Sequence, residues 1–283
     1  MPKKSKKAHP MKKVIDQVTK SASKAKRQSS NSSKSSACSI PPNVDKWKKV
    51  FDGIMDSGSG RRAGTFLANL AHNGNHQKLK KHQIGCKLYA SLPSAVKGSR
   101  KLVRELIEHA IQNRPQYLRH LPDNLRSDML LTNMAVTNDG LALQYVKGNA
   151  KRDREIVLKA VRQNGSALQH APKQFRCDLE VAGGALQAQR CTSGHSPLQY
   201  VEGAIRHTML TDETYVKLAV QQEGTALWLV DRNFRESKEI VLLAYEQGRF
   251  YKAARLALGS LQHDEDILKI LKKQHYSPAD LYH

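Results

Sequence analysis

The feature that most constrains this chain is a small residue that returns every 25 positions. Ala110, Ala135, Ala160 and Ala185 stand 25 apart, one longer step of 34 leads to Ala219, and Ala244 comes after another 25. Seven positions ahead of these alanines stand Asp128, Asp153, Asp178, Asp212 and Ser237. Four ahead stand Leu106, Leu131, Ile156, Val181, Tyr215 and Ile240, and one behind stand Ile111, Val136, Val161, Leu186, Val220 and Tyr245. Apolar residues separated by five, with a small residue between them, fall on one stripe of an α-helix, so each copy predicts a helix that buries this stripe. An Asp or Ser at the start accepts hydrogen bonds from the free N–H groups of the first turn, and a carboxylate there also favours the positive end of the helix dipole. Asp128, Asp153 and Asp212 therefore mark helix starts, and Ala135, Ala160 and Ala219 mark helix cores.

Each helix also carries a regular stop and a regular sequel. Gly140, Gly165 and Gly224 are expected to end it by supplying the left-handed conformation that closes the last carbonyls. Leu143, Leu168 and Leu227, with Leu118 in the same column, then open a shorter apolar segment in LALQYV, SALQHA and TALWLV. A helical hairpin this small cannot bury its own apolar face, so it must stack on its neighbours. The expected fold is all-α: a helical-repeat, α-solenoid-like array of short hairpins over residues 88–283, with no β-sheet. The third copy departs from the pattern. Its Gly183-Gly184 pair and the insertion around Gln189 to His195 predict a loop or a bend.

The segments RSDMLLTNMAVTNDGLALQYV (126–146) and KRDREIVLKAVRQNGSALQHA (151–171) resemble the repeats of the family known as domain of unknown function 4116. Its units read as an acidic-start helix, Ala-Val, a polar pair, Gly, and a Leu/Ala-rich tail. The resemblance is good over 126–171 and fair over 208–245, and residues 1–98 do not share it. It implies helical repeats of the kind found in protists, certain intracellular bacteria and large DNA viruses. The family carries no established activity, so the resemblance transfers no catalytic residue.

Charge is distributed unevenly along the 283 residues. The formal net charge is +22, which points to an anionic partner. Residues 1–44 carry 11 Lys/Arg and one acid, residues 45–98 carry 10 and three, and residues 208–283 are close to neutral with 10 and 11. The Lys- and Ser-rich stretch 1–44 has almost nothing to bury and reads as a disordered basic arm. Its clusters Lys3, Lys4, Lys6 and Lys7, then Lys12 and Lys13, then Lys24, Lys26 and Arg27, resemble a nuclear or nucleolar import signal. A Ser-rich, acid-poor leader also fits organelle import, and a solubilising tail fits as well. Residues 45–87 read as an amphipathic helix, with Trp47, Val50, Phe51, Ile54 and Met55 on one face, and then a basic Gly- and His-rich connector. That helix either packs on the repeat body or docks into a partner's groove.

The nominated contacts with an anionic polymer, RNA or DNA bound without sequence preference, are these arm residues together with Lys46, Lys48, Lys49, Arg61, Arg62, Lys78, Lys80 and Lys81, all within residues 1–98. The near-neutral 208–283 segment is the expected surface for a protein partner. No small-molecule substrate and no cofactor are expected. Gly60 to Thr65 lacks the spacing and the lysine of a phosphate loop. His72, His76, His82 and Cys86 read as solvated rather than metal-binding, because a zinc site normally shows a tighter pair of ligands. Cys38, Cys86, Cys177 and Cys191 show no redox or metal spacing and read as free thiols of a reducing compartment. No run is long and apolar enough to span a bilayer.

Catalysis requires convergent groups, and the sequence offers none. Its acids sit at helix starts, and His120 and His170 occupy a column that other copies fill with Tyr145 and Tyr200, as a packing position would. The expectation is a non-enzymatic scaffold, nuclear or nucleolar, with cytoplasmic or virion-associated locations as alternatives. The competing expectations are a structural or packaging component of a ribonucleoprotein or virion, and an effector acting in a host cell.

Overall fold

A computed structural model describes residues 48–49, 52–53, 60–72, 98–192, 195–246, 264–266 and 269. Its α-helices are α1 (Gly60–Ala71), α2 (Arg100–Asn113), α3 (Asp123–Arg126), α4 (Met129–Asn138), α5 (Gly148–Arg152), α6 (Arg154–Gln163), α7 (Lys173–Arg176), α8 (Leu179–Leu186), α9 (Ala204–Thr211), α10 (Glu213–Gln222), α11 (Arg232–Arg235) and α12 (Lys238–Glu246). There is no strand among the described residues. The chain divides into two compact units, residues 1–125 and 126–283.

In the second unit each long helix begins at the residue the period marks. Asp128 Oδ1 accepts from the N–H groups of Leu130 and Leu131, Asp153 from Ile156, Asp178 from Glu180 and Val181, and Asp212 from Thr214. Each such cap contributes about 1 kcal/mol. The stripe they introduce is buried. Ala135, Ala160, Ala185 and Ala219 have no exposed surface, nor have Leu131, Val136, Val161, Val181 and Val220. Tyr215 departs from this column and is only half-buried. Successive long helices pack side by side, α4 on α6, α6 on α8, α8 on α10 and α10 on α12.

The second segment of each copy is a 3-10 helix, not an α-helical arm. These turns span Gly140–Tyr145, Gly165–His170, Pro197–Tyr200 and Gly224–Trp228. A 3-10 helix brings residues three apart onto one face. The pairs Leu143 and Val146, Leu168 and Ala171, Leu198 and Val201, and Leu227 and Val230 have that separation and are all buried. A short α-helix then leads to the next long one, so each copy has three parts.

The glycines do not adopt the left-handed conformation expected of them. Among the described residues only Gly148 and Gly203 have positive φ. The long helices end one residue earlier, at Asp139, Asn164 and Glu223, which are extended. Asp139 and Asn164 also cap the 3-10 turn, their side chains accepting from Leu141 N and Ser166 N at 3.0 Å. Gly140, Gly165 and Gly224 are needed for close approach. A Cβ on Gly140 would overlap the carbonyl oxygen of Ala160, one on Gly165 that of Ala185, and one on Gly224 would lie 2.8 Å from that of Ala244. Each copy's glycine thus seats against the alanine column of the next copy.

A glutamine fastens the same seam. Gln163 Oε1 accepts from Gly140 N at 2.6 Å while its Nε2 donates to Asn138 O at 3.3 Å. Gln222 Nε2 donates to Ala185 O at 3.0 Å. The insertion supplies an equivalent bond at the seam between α6 and α8, where Gly165 N donates to Arg190 O at 2.9 Å and Gln189 N to Arg162 O at 3.2 Å. The third copy is therefore not broken at its glycines. Helix α8 runs through Gly183 and Gly184, and the insertion folds back onto the preceding copy.

In the first unit α1 occupies part of the segment that reads in sequence as a connector. Phe66, Leu67, Ala68 and Leu70 are its buried face. It packs on α2 and on the 3-10 turn Pro115–His120. Lys48, Lys49, Asp52 and Gly53 are helical, and Asp52 Oδ1 lies 2.7 Å from His109 Nε2 of α2.

Candidate anion-binding face

Of the basic residues nominated from sequence, Lys48 is half-buried, Lys49 is exposed, and Arg61 and Arg62 lie in the first turn of α1. Lys3, Lys4, Lys6, Lys7, Lys12, Lys13, Lys24, Lys26, Arg27, Lys46, Lys78, Lys80 and Lys81 lie outside the described residues, as do His76, His82, Cys38 and Cys86. Cys177 and Cys191 are free thiols. Among the described residues no group of three His, Cys, Asp or Glu side chains could hold a metal ion. No helix among them is long and apolar enough to cross a membrane.

Charge is distributed unevenly between the elements of the second unit. Along the long helices, cations are matched with acids of the same or the next copy. Arg154 Nη2 reaches Glu180 Oε2 at 2.6 Å and Asp178 Oδ2 at 3.2 Å, and Lys217 Nζ reaches Glu239 at 2.6 Å and Glu213 at 2.7 Å. Lys238 Nζ reaches Asp266 at 2.6 Å and Asp264 at 2.9 Å. Asp264 in turn accepts from Asp266 N at 3.0 Å, the same kind of bond that Asp128, Asp178 and Asp212 accept two residues on. Donation to the Glu180 and Asp178 carboxylates raises the proton affinity of Arg154, and donation to Glu213 and Glu239 raises that of Lys217. These pairs are exposed and screened by solvent, so they match neighbouring copies more than they stabilise them.

In two of the segments that join a 3-10 turn to the next long helix the balance differs. Residues 145–152 and 170–176 contain Lys147, Lys151, Arg152, Lys173 and Arg176 and no acid. Lys147, Arg152 and Lys173 are exposed, while Lys151 and Arg176 are half-buried. A basic residue stands nine positions before the alanine in four copies, as Arg126, Lys151, Arg176 and Arg235, and Arg206 lies in the first turn of α9. Arg126 Nε donates to Tyr145 O at 2.7 Å, Arg176 Nη1 to Ala171 O at 2.7 Å, and Arg206 Nη1 to Gln199 O and Val201 O at 3.2 Å. Burial lowers the proton affinity of Lys151, and the charges of Lys147 and Arg126 lower it further. His170 is lowered by burial and then by Lys151.

Sequence reading placed the anion contact in the first 98 residues and did not single out these basic segments. Summed over residues 99–283, 26 Lys/Arg stand against 21 Asp/Glu, and this small excess hides the acid-free segments. Reading charge by repeat column would have separated them.

The copies so described also have relatives. The model of a family described as a domain of unknown function (DUF4116) matches residues 104–149, 133–176 and 153–191. The repeats match DUF4116. The DUF4116 match ends at residue 191, whereas the same order of capped helix, 3-10 turn and short helix continues through Glu246. No curated protein and no solved structure matches the chain.

His120, in the column shared with Tyr145, His170 and Tyr200, is a packing residue. Its imidazole lies against Gly64 of α1, where a Cβ would overlap the ring. Arg119 Nε donates to its Nε2 at 2.9 Å, a bond that requires this nitrogen to be unprotonated. Burial, and then the charge of Arg119, lowers its pKa from 6.5 to about 4. The neutral form is favoured by folding, so the contribution is complete above pH 6.5 and is lost as pH falls toward 4. After discounting for its contact with solvent, acidification from pH 7.5 to pH 5 should cost the first unit about 1 kcal/mol. Thermal melts at the two pH values should show this loss in the wild type and not in His120→Gln.

Proposed function

We propose that this chain is a non-enzymatic helical-repeat scaffold whose basic regions bind an anionic polymer, RNA or DNA, through phosphate contacts. The observation that carries the reading is the sorting of charge in the body. Acids and cations pair along the long helices and at Arg176–Glu202 and Arg232–Glu236, while Lys147, Arg152 and Lys173 stand exposed in the segments 145–152 and 170–176, which hold no acid. Exposed cations in segments without an acid attract a polyanion. The basic residues of 1–98 add a second contact, and the 11 Lys/Arg of 1–44 supply most of its reach.

A salt titration of nucleic-acid binding tests this, comparing the full chain with residues 45–283. If about half of the arm cations meet phosphates, deletion should reduce the slope of log affinity against log salt by about 4 to 5 on duplex DNA. Sequence preference should be slight. Equal slopes would remove the arm from the contact, and absence of binding by either chain would end the reading.

A protein partner on 208–283 is supported by one observation. Trp228, which closes the 3-10 turn Gly224–Trp228, is 71% exposed in a segment of near-zero net charge. Exposed tryptophans are frequent anchors of protein interfaces.

A further inference from the structure

Two short helices are built alike and differ in what their arginine meets. In α7, Phe175 N and Arg176 N donate to Pro172 O, Cys177 N to Lys173 O and Asp178 N to Phe175 O. In α11, Phe234 N and Arg235 N donate to Asp231 O, Glu236 N to Arg232 O and Ser237 N to Phe234 O. These bonds correspond one to one, so the backbone presents Arg235 as it presents Arg176. Both arginines stand five residues after the buried residue that follows a 3-10 turn, Ala171 for one and Val230 for the other.

The Arg176 guanidinium has a full set of acceptors. Its Nη1 donates to Ala171 O at 2.7 Å, and its Nε at 3.0 Å and Nη2 at 2.7 Å donate to Glu202 Oε1. Arg206, five residues after Val201, also lies over the end of its turn, with Nη1 3.2 Å from Gln199 O and from Val201 O. Arg235 is half-buried, and its Nε, shielded from solvent, has no hydrogen-bond partner. The acids nearest in sequence are engaged elsewhere or leave it unbonded. Glu236 is taken by Arg232 at 2.7 Å, Asp264 and Asp266 are taken by Lys238, and Asp231 makes no bond to that Nε. Residues 247–263 contain no Asp or Glu, so the stretch that follows offers no counterpart of Glu202. A permanent cation with a shielded N–H and no acceptor is costly until a carboxylate reaches it.

An apolar anchor stands at the same turn. Trp228 follows the buried Leu227 as Gln199 follows the buried Leu198. An arginine at this place in the repeat therefore reaches toward the turn position that Trp228 fills, and Trp228 is 71% exposed.

We propose that Arg235 and Trp228 receive an acidic segment of a protein partner. A carboxylate of that segment takes at Arg235 the place that Glu202 takes at Arg176, and an adjoining apolar side chain packs on the indole. This rests on the reading of 208–283 as a protein-binding segment and adds the chemistry of the partner. The fork of Nε and Nη2 matches a carboxylate. Single carboxylates are favoured over a phosphate chain by the local charge. Residues 223–239 hold Glu223, Asp231, Glu236 and Glu239 against Arg232, Arg235 and Lys238, a balance that repels a polyanion.

The test uses the isotope-labelled full-length protein and reads the Arg235 Nε–H and Trp228 indole N–H resonances. The probe is the acidic peptide acetyl-Leu-Glu-Leu-Glu-Leu-amide, beside the same peptide with glutamine for glutamate and a short single-stranded RNA. The acidic peptide should shift both resonances, and the glutamine peptide should bind about tenfold more weakly or worse. Arg235→Gln should weaken the acidic peptide by a similar factor, as should Trp228→Ala and Arg235→Lys, which keeps the charge and loses the fork. Arg235→Gln should melt no lower than the wild type, whereas Arg176→Gln loses the bonds to Ala171 and Glu202 and should melt lower. Absence of a shift at Arg235, or acidic-peptide affinity unchanged in Arg235→Gln, overturns the carboxylate site. Equal binding of both peptides, abolished by Trp228→Ala, would also overturn it and leave the protein-partner reading standing. Binding lost in Arg235→Gln but unchanged in Trp228→Ala would uphold the carboxylate at Arg235 and overturn the reading of Trp228 as an anchor. A shift at Arg235 produced by RNA and not by the acidic peptide would assign the site to the polymer and end the proposal.

Discussion

Val161→Asp should unfold the stacked repeats at temperatures where the wild-type chain remains folded. Val161 has no exposed surface and lies in the same column as Val136 and Leu186, on α6 between α4 and α8. Replacing it forfeits about 1.5–3 kcal/mol of apolar burial. The carboxylate must then either be buried charged or take up a proton, and neither form has a designed partner in that stripe, which adds about 1–3 kcal/mol or more. The sum is comparable with the whole stability of an ordinary domain, about 5–15 kcal/mol. In a stacked array the damage spreads, because each copy is stabilised mainly by its neighbours. Val161→Ala serves as the control, leaving only a small cavity and costing roughly 2 kcal/mol. Circular-dichroism melts and urea midpoints read both variants. Wild-type melting in Val161→Asp would show that the packing register assigned to this column is wrong.

The parts legible in the sequence were those written in the period of an α-helix. Leu131, Ala135 and Val136 define a stripe on their own, and the aspartate ahead of them defines its start, so nothing about the neighbouring copies was needed. The 3-10 turns were harder to see. Leu143 and Val146 are separated by three and lack a further partner on the same face, a pattern too short to distinguish from one turn of α-helix. Gly140 illustrates a deeper ambiguity: a glycine after a helix signals either a left-handed residue or a close approach, and only the position of the Ala160 carbonyl decides between them. Gly183 and Gly184 misled in the other direction. Their cost to helix α8, about 1 kcal/mol each relative to alanine, is offset by the Asp178 cap and by the burial of Val181, Ala182, Ala185 and Leu186. The unpartnered Nε of Arg235 was invisible because its sister Arg176 finds Glu202 only when one copy is laid on the next.

Gly165→Ala, a change of one methyl group, should destabilise the second unit by more than the roughly 1–3 kcal/mol usual for overpacking. The new Cβ would overlap the carbonyl oxygen of Ala185 and would lie 2.8 Å from Pro197 Cγ and 3.3 Å from Gln222 Nε2. None of these can move freely. The carbonyl belongs to the last turn of α8 and accepts from Gln222 Nε2 at 3.0 Å, and Pro197 is a buried ring at the start of its own 3-10 turn. Relief requires separating two copies, which would also break the Gly165 N bond to Arg190 O. If Gly165 were instead a left-handed helix terminator, alanine would cost only about 1 kcal/mol, and asparagine, which tolerates that conformation, would restore most of it. The two explanations therefore predict opposite orders. Close packing makes Gly165→Asn worse than Gly165→Ala, and a conformational role makes it better. Gly183→Ala, whose Cβ would meet only Tyr215 Cε1 at 3.7 Å, should be neutral or stabilising in the same melts, since helix α8 gains propensity there without a clash.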